Sequence, residues 1–244
     1  MSVPSTLPTV VILCGGRGTR LQEQSSALPK PLIEVGRRPI VWHVISMYLT
    51  HGFRRFLLLT GHRADQVEAF AAAAPWPRDA RVACLDTGPD TPTGERVRRA
   101  APLLGEDRFC LAYADGVADI DLTALLDHHR ELGALATMAV VQPRLPFGVA
   151  QLNGDGSILG FTEKPRSKLW VNAGFFCFER AALEVVEPGS VLEREPLERL
   201  AAAGRLHAFR HHGFWECMDT YKDWLTLNEL WERGRAPWVS DPAG

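Results

Sequence analysis

Short apolar runs alternate with amphipathic stretches from the start of the 244-residue chain as far as Val141, and no other feature constrains the fold as much. Residues 10–13 form a β-branched run that ends in glycines, the pattern of a buried strand feeding a loop. Ile40, Val41, Val44, Ile45, Tyr48 and Leu49 fall on one helical face, and Gly52 follows as a stop. Residues 56–59 read as the next strand, closed by Gly61, and 64–73 as the next helix. Residues 81–85 and 109–113 are further strands, with a helix expected between them around 97–104. Asp121 is a credible N-cap for a helix carrying Leu122, Leu125, Leu126, His129 and Leu132, ended by Gly133. Strand and helix in this order predict βαβ units and an α/β fold with a Rossmann-like, mainly parallel sheet flanked by helices.

Past Val141 the texture changes. Residues 147–152 and 158–162 flank Asn153-Gly154-Asp155-Gly156, a hairpin signal. A glycine-interrupted strand is expected over 171–178 and a closing amphipathic helix over 221–231. Nothing between the halves has the composition of a linker. The expectation is therefore one domain over 1–244, with its last strands added beyond the first half of a continuous mixed sheet.

Composition narrows the function by exclusion. Hydrophobic residues at 46% suffice for a real core, and a formal net charge of −2 supplies no general positive field for nucleic acid or an anionic membrane. Phosphate binding would have to be local. The five cysteines are odd in number and widely spaced, with no Cys-x-x-Cys pair, which argues against a disulfide framework or a zinc site. No apolar stretch approaches the ~20 residues needed to span a bilayer, and the N-terminus lacks the pattern of a signal peptide. A cytoplasmic protein is expected.

The loop after the first strand is the candidate anion site. Leu13-Cys14-Gly15-Gly16-Arg17-Gly18-Thr19-Arg20-Leu21 brings glycines that allow close backbone approach and amides that can point at phosphate oxygens. Arg20 adds a planar donor fork; Arg17 is a second contact or a solvated side chain. The segment has neither the lysine-hydroxyl ending of a P-loop nor the spacing of a dinucleotide fingerprint. Pro29-Lys30-Pro31 follows, and its two prolines predict a stiff, extended segment that aims a fixed cation. Asp115 follows the 109–113 strand, at the carboxyl end where open α/β sheets present ligands. Asp219 closes another short apolar segment, and read alone it serves equally as a helix N-cap. Asp119 and Asp121 read as caps, His129 as a core histidine, His128 as solvated. Neither that pair nor His211-His212 is given a role.

Leu13 to Leu21 followed by Pro29-Lys30-Pro31 resembles the signature of the sugar-1-phosphate nucleotidyltransferases. So do Asp86-Thr87-Gly88, Thr93-Gly94-Glu95-Arg96, Tyr113-Ala114-Asp115-Gly116, Phe161-Thr162-Glu163-Lys164-Pro165, Asn172-Ala173-Gly174 and Gly213-Phe214-Trp215 with Met218-Asp219-Thr220. From about Thr9 to Trp238 the chain most resembles the bacterial glucose-1-phosphate cytidylyltransferases.

That resemblance implies a nucleotidyltransferase fold with a nucleotide-binding half at about 9–141. A sugar-binding and closing half, with a small added β-rich part, follows at about 142–238. It implies Arg20, Lys30 and Lys164 as catalytic cations, and nucleotide contacts from Leu13, Gly15, Gly16, Gly18, Thr19, Arg20, Gly94 and Arg96. It implies sugar contacts from Glu163, Lys164, Asn172 and Gly174, and Mg2+ held by Asp115 and Asp219. The implied partners are a nucleoside triphosphate, CTP favoured, a sugar-1-phosphate, glucose-1-phosphate favoured, and further copies of the chain in a homo-oligomer. The chain departs from the resemblance at Glu95, where the cytidylyltransferases have glycine, and in a shorter stretch over 64–85. Another nucleotide, a modified sugar or cyclitol phosphate, or a non-catalytic nucleotide-sugar-binding protein therefore remain as alternatives.

Overall fold

The computed structural model describes residues 7–18 and 28–239. In chain order the elements are β1 (Thr9–Leu13), β2 (Glu34–Val35), β3 (Arg38–Pro39), α1 (Ile40–Thr50), β4 (Arg55–Thr60), α2 (Ala64–Ala73) and β5 (Arg81–Asp86). Then come α3 (Thr93–Ala100), β6 (Arg108–Tyr113), β7 (Gly116–Ala118), α4 (Leu122–Leu132), β8 (Ala136–Val141), β9 (Val149–Leu152) and β10 (Ile158–Thr162). The chain closes with β11 (Val171–Glu179), α5 (Glu195–Ala202), β12 (Leu206–Arg210), β13 (Trp215–Cys217) and α6 (Tyr221–Glu232).

Seven strands form the main sheet in the order β12-β8-β11-β6-β1-β4-β5. β6, β1, β4 and β5 run parallel, β12 runs parallel to β8, and β11 is antiparallel to both of its neighbours. The sheet is mixed and mainly parallel, as expected. One expectation needs correcting: the late strand β11 is not appended beyond the first half but inserted between β8 and β6. Its Phe175, Phe176, Cys177 and Phe178 are all buried there, as a strand covered on both faces requires.

Alternation along β1 sorts its side chains into two cores. Val10 and Ile12 pack with α1, α2, α4 and α6 on one face, and Val11 packs with α3 and α5 on the other. The Asp121 carboxylate accepts from the Thr123 and Ala124 amides, and Gly133 at φ 58 ends α4, so both caps are where the sequence puts them. α3 starts at Thr93, a turn earlier than expected, and only a 3-10 turn occupies 101–103. His129 is buried with Nδ1 2.8 Å from the Thr137 hydroxyl. His128 is half-buried against the Phe209 ring rather than solvated. β9 and β10 form a separate two-stranded ribbon. No helix among the described residues is long and apolar enough to cross a membrane.

Candidate active site

β1 sits where the connections change direction: β4 and β5 lie on one side of it and β6 on the other. Ligands in open α/β sheets bind at such a switch point, outside the carboxyl ends of the strands. Here Leu13 pairs with Tyr113, so the glycine loop and the Tyr113-Ala114-Asp115 turn leave the sheet side by side. Between them opens a cleft of about 620 Å³, lined by residues 13–18, Lys30, Arg96, Tyr113, Asp115, Glu193 and Asp219 among others.

Asp115 and Asp219 meet through a small ladder. β7 begins directly after Asp115, β13 ends just before Asp219, and the two strands pair antiparallel with Cys217 opposite Gly116. The Met218 amide completes the contact by donating to the Asp115 carbonyl at 2.9 Å. Thr220, not Asp219, caps α6, in a capping box with Asp223. The Asp219 carboxylate is thus turned to the cleft.

Lys30 stands between the two acids. Its Nζ lies 2.5 Å from Asp115 Oδ2 and 2.6 Å from Asp219 Oδ1. The segment is not extended as the prolines suggested: Lys30–Leu32 forms a 3-10 turn, anchored by the buried Pro31 and Leu32. Gly18 lets the lysine stem through, because its φ is 62 and a side chain there would collide with Lys30 Cβ. Burial alone would lower the Lys30 pKa, but the Asp115 and Asp219 carboxylates outweigh it and hold the ammonium above its ordinary value. Two carboxylates converging on one cation position, beside a cleft, suit a divalent ion that takes one or two carboxylates and completes its shell with phosphate oxygens.

Arg96 is buried beneath the loop. Its guanidinium donates to the carbonyls of Thr60 at 2.7 Å, Gly15 at 3.0 Å and Pro89 at 3.3 Å, and to the Thr87 hydroxyl. It braces the loops that shape the cleft. Gly94 is packed against Ser190 and Leu192 and does not line the cleft; its neighbour Thr93 does. Glu95 points away, accepting from Arg98, Arg99 and the Gly189 amide; those contacts, Arg98 first, bring its pKa down to about 2. Arg17 pairs with Asp90 across the mouth, an exposed contact that a bound anion can displace. Thr19 and Arg20 lie outside the described residues.

The sugar-side residues are spread more widely. Asn172 donates to the Tyr113 hydroxyl at 3.1 Å and accepts from the Gly174 amide at 2.8 Å. Gly174, at φ 83, lets β11 ride over the Tyr113 ring, which a side chain there would strike. Glu163 and Lys164 are exposed and outside the cleft, on the arm that carries β9 and β10, with 3.8 Å between their charged groups. Lys164 has a φ of 45, a left-handed conformation that costs a side-chain-bearing residue energy and marks a constrained position.

Tyr113 and Glu193 are cleft residues to which sequence reasoning assigned no role. The Tyr113 hydroxyl donates to Glu193 Oε1 at 2.7 Å, and the Thr93 hydroxyl donates to Oε2 at 2.6 Å. Burial first, and then the Glu193 charge, raises the Tyr113 pKa, so the phenol keeps its proton.

Comparison with known proteins places the chain in a family. The chain is 35% identical to the glucose-1-phosphate cytidylyltransferase of Salmonella typhimurium, over 93% of this chain and 97% of that protein. It is 34% identical to the probable glucose-1-phosphate cytidylyltransferase of Bacillus subtilis, over 93% and 98% respectively. The mannose-1-phosphate guanylyltransferase catalytic subunit beta of Drosophila pseudoobscura pseudoobscura is 30% identical, over 88% of this chain but 60% of that protein. In fold, a putative glucose-1-phosphate thymidylyltransferase from Bacillus anthracis superposes with a TM-score of 0.73 at 19% identity, covering 96% of each chain. The family described as nucleotidyl transferase matches residues 9–230, and the chain belongs to that family.

Proposed function

We propose that the protein joins CTP to glucose-1-phosphate, giving a nucleotide sugar and pyrophosphate. The observation that carries this reading is the Asp115–Lys30–Asp219 cluster beside the glycine loop: a cation and two metal-type ligands gathered at one end of a cleft. The choice of substrates is supported by the cytidylyltransferase relatives, each covered over nearly its whole length.

In the proposed reaction an oxygen of the sugar-1-phosphate attacks the α-phosphorus of the triphosphate. A phosphorus–oxygen bond forms as the bond to the β-bridging oxygen breaks, and pyrophosphate leaves with that electron pair. The nucleophile is already anionic, so no protein base is required. The chain's work is positioning and charge stabilisation. Loop amides of Gly15, Gly16 and Gly18, with Thr19 and Arg20, would hold the triphosphate over Leu13. Lys30 has three N–H donors, two committed to carboxylates and one to offer a phosphate. Asp115 and Asp219 would hold Mg2+, which when bound neutralises charge on the α-phosphate. Arg96 and Gly94 act through the shape of the nucleotide wall.

Asn172 and Gly174 would meet the sugar beside Tyr113. For Lys164 to hold the attacking phosphate, and Glu163 a sugar hydroxyl, their arm must close over the cleft. The whole chain is proposed to work as one domain, since β11 and β12 of the second half complete the sheet of the first. The homo-oligomer is likewise a proposal; Phe147, Leu152, Ile158, Leu159 and Phe161, all exposed on the β9–β10 arm, supply apolar surface for it.

The guanylyltransferase relatives favour a second reading, the same chemistry with another pair of substrates. Pyrophosphate release, measured over a matrix of triphosphates and sugar-1-phosphates, separates the two. Absence of release from every pair would leave only the non-catalytic binding alternative.

A further inference from the structure

Glu193 is an acid in a cleft proposed for phosphates. A carboxylate repels a phosphate, so the part of a substrate that lies against it cannot be anionic, and in substrates without a cationic group it is a neutral hydrogen-bond donor. Sugar hydroxyls satisfy both conditions.

The carboxylate is also held in place. Tyr113 takes one oxygen and Thr93 the other, at 2.7 and 2.6 Å. Both are hydroxyl donors and neither neutralises the charge. The supports are themselves fixed: Thr93 Oγ1 accepts from the Leu192 amide at 2.9 Å, and Tyr113 is pinned between Asn172 and Gly174. Each carboxylate oxygen has two acceptor directions, and the Tyr113 and Thr93 bonds use one on each. One remains on each oxygen, on an exposed side chain that lines the cleft. Glu163, in contrast, is not among the residues that line the cleft.

We infer that Glu193 is a specificity-determining residue, accepting hydrogen bonds from hydroxyls of the sugar-1-phosphate on the Tyr113–Asn172 side of the cleft. The inference rests on the sugar-phosphate reading above. It deepens that reading by naming a further residue that recognises the sugar. Ribose hydroxyls present the same chemistry; the sugar is chosen because the bond chain from Glu193 runs through Tyr113 to Asn172 on β11, whereas among the described residues the Thr93 hydroxyl alone bonds it to the nucleotide wall.

The test compares glucose-1-phosphate with its monodeoxy analogues, each paired with CTP, for wild type, Glu193→Ala and Glu193→Gln. A hydroxyl read by a buried or charged acceptor is worth on the order of tenfold or more in kcat/KM when deleted. Wild type is expected to discriminate against at least one deoxy analogue by about tenfold, and Glu193→Ala to shrink that ratio to about twofold. Glu193→Gln, which keeps one acceptor oxygen, should fall between them. The CTP to dCTP ratio should stay the same in all three.

A deoxy discrimination that survives in Glu193→Ala overturns the inference. So does collapse of the CTP to dCTP ratio in its place, which would assign the carboxylate to ribose. A merely structural role would lower all substrates together and leave the ratios unmoved, which also overturns it. The same contrast is read by calorimetric binding of glucose-1-phosphate and its analogues without turnover. Selective binding that depends on Glu193, with no pyrophosphate formed, contradicts the proposed reaction and leaves this inference standing. Turnover with Glu193-independent discrimination does the reverse.

Discussion

Replacing Lys30 by alanine removes the cation that, among the described residues, stands between Asp115 and Asp219. The Asp115 and Asp219 oxygens lie 2.5 and 2.6 Å from Nζ, so without it they face each other at no more than about 5 Å. At an effective dielectric constant of about 20, two unit charges at that distance repel by roughly 3 kcal/mol. The two carboxylates are 25% and 36% exposed, and water and side-chain relaxation reduce the net cost to about 1–2 kcal/mol. For a chain of this size that lowers the melting temperature by about 3–6 °C, which leaves essentially all of the protein folded at 25 °C. Activity should suffer far more. A positioned donor facing charge that develops in the transition state is worth about 10²–10³ in turnover. Thermal melts with and without Mg2+, beside pyrophosphate release, measure both effects. Mg2+ should narrow the gap in melting temperature, because it restores a cation between the acids. A folded Lys30→Ala protein within tenfold of wild-type turnover refutes this reasoning. A fall in melting temperature beyond about 15 °C would make Lys30 a structural residue instead.

Asp115→Asn should abolish most activity and weaken the dependence on Mg2+; an unchanged Mg2+ titration removes its role as a ligand. Arg96→Ala should cost about 3–5 kcal/mol in urea unfolding, since it strands buried carbonyls of Thr60 and Gly15. A loss below 1 kcal/mol would show that the loops need no brace. His43 gives a pH prediction. Its Nε2 lies 2.9 Å from the Val35 carbonyl and its Nδ1 3.2 Å from the Trp238 indole nitrogen, so the ring is neutral, with the proton on Nε2. Burial lowers its pKa to about 4. A group depressed on folding contributes stability that is present above its unfolded pKa of about 6.5 and lost as pH falls toward 4, here about 3 kcal/mol. Denaturation of wild type and His43→Gln across that window should converge as pH falls; parallel curves contradict the assignment.

Much of the sheet was legible because its strands are short local apolar runs, and α4 and α6 carry side-chain caps. Val10, Val11 and Ile12 announce β1, and Asp121 and Gly133 bound α4. The start of α3 at Thr93 is not legible in the sequence because Thr93-Gly94 has the composition of a loop. It is helical there because Leu192 and Ser190 dock onto its first turn. The place of β11 was not legible at all: periodicity identifies a strand but not its neighbours, and pairing with β6 and β8 is a long-range choice. β12 lies at the edge of the sheet with only Leu206 and Phe209 half-buried, three positions apart, so it lacks the alternation that marks a strand.

The site divides in the same way. The glycine loop and Lys30 could be argued from local chemistry. Asp219 could not be separated from a cap until β7 and β13 paired, since it meets Lys30 across 189 positions. Glu193 lies in Leu192-Glu193-Arg194-Glu195, which reads as a solvated charge run. Only the fold brings it to Tyr113, 80 positions away, and to Thr93, 100 away.

The central claim is nucleotidyl transfer from CTP to glucose-1-phosphate at the Lys30–Asp115–Asp219 cleft. The most direct test is pyrophosphate release by purified wild-type protein over a matrix of triphosphates and sugar-1-phosphates in the presence of Mg2+. The account predicts that CTP with glucose-1-phosphate gives the highest kcat/KM in the matrix. Release that is highest with GTP and mannose-1-phosphate, or absent from every pair, would contradict it.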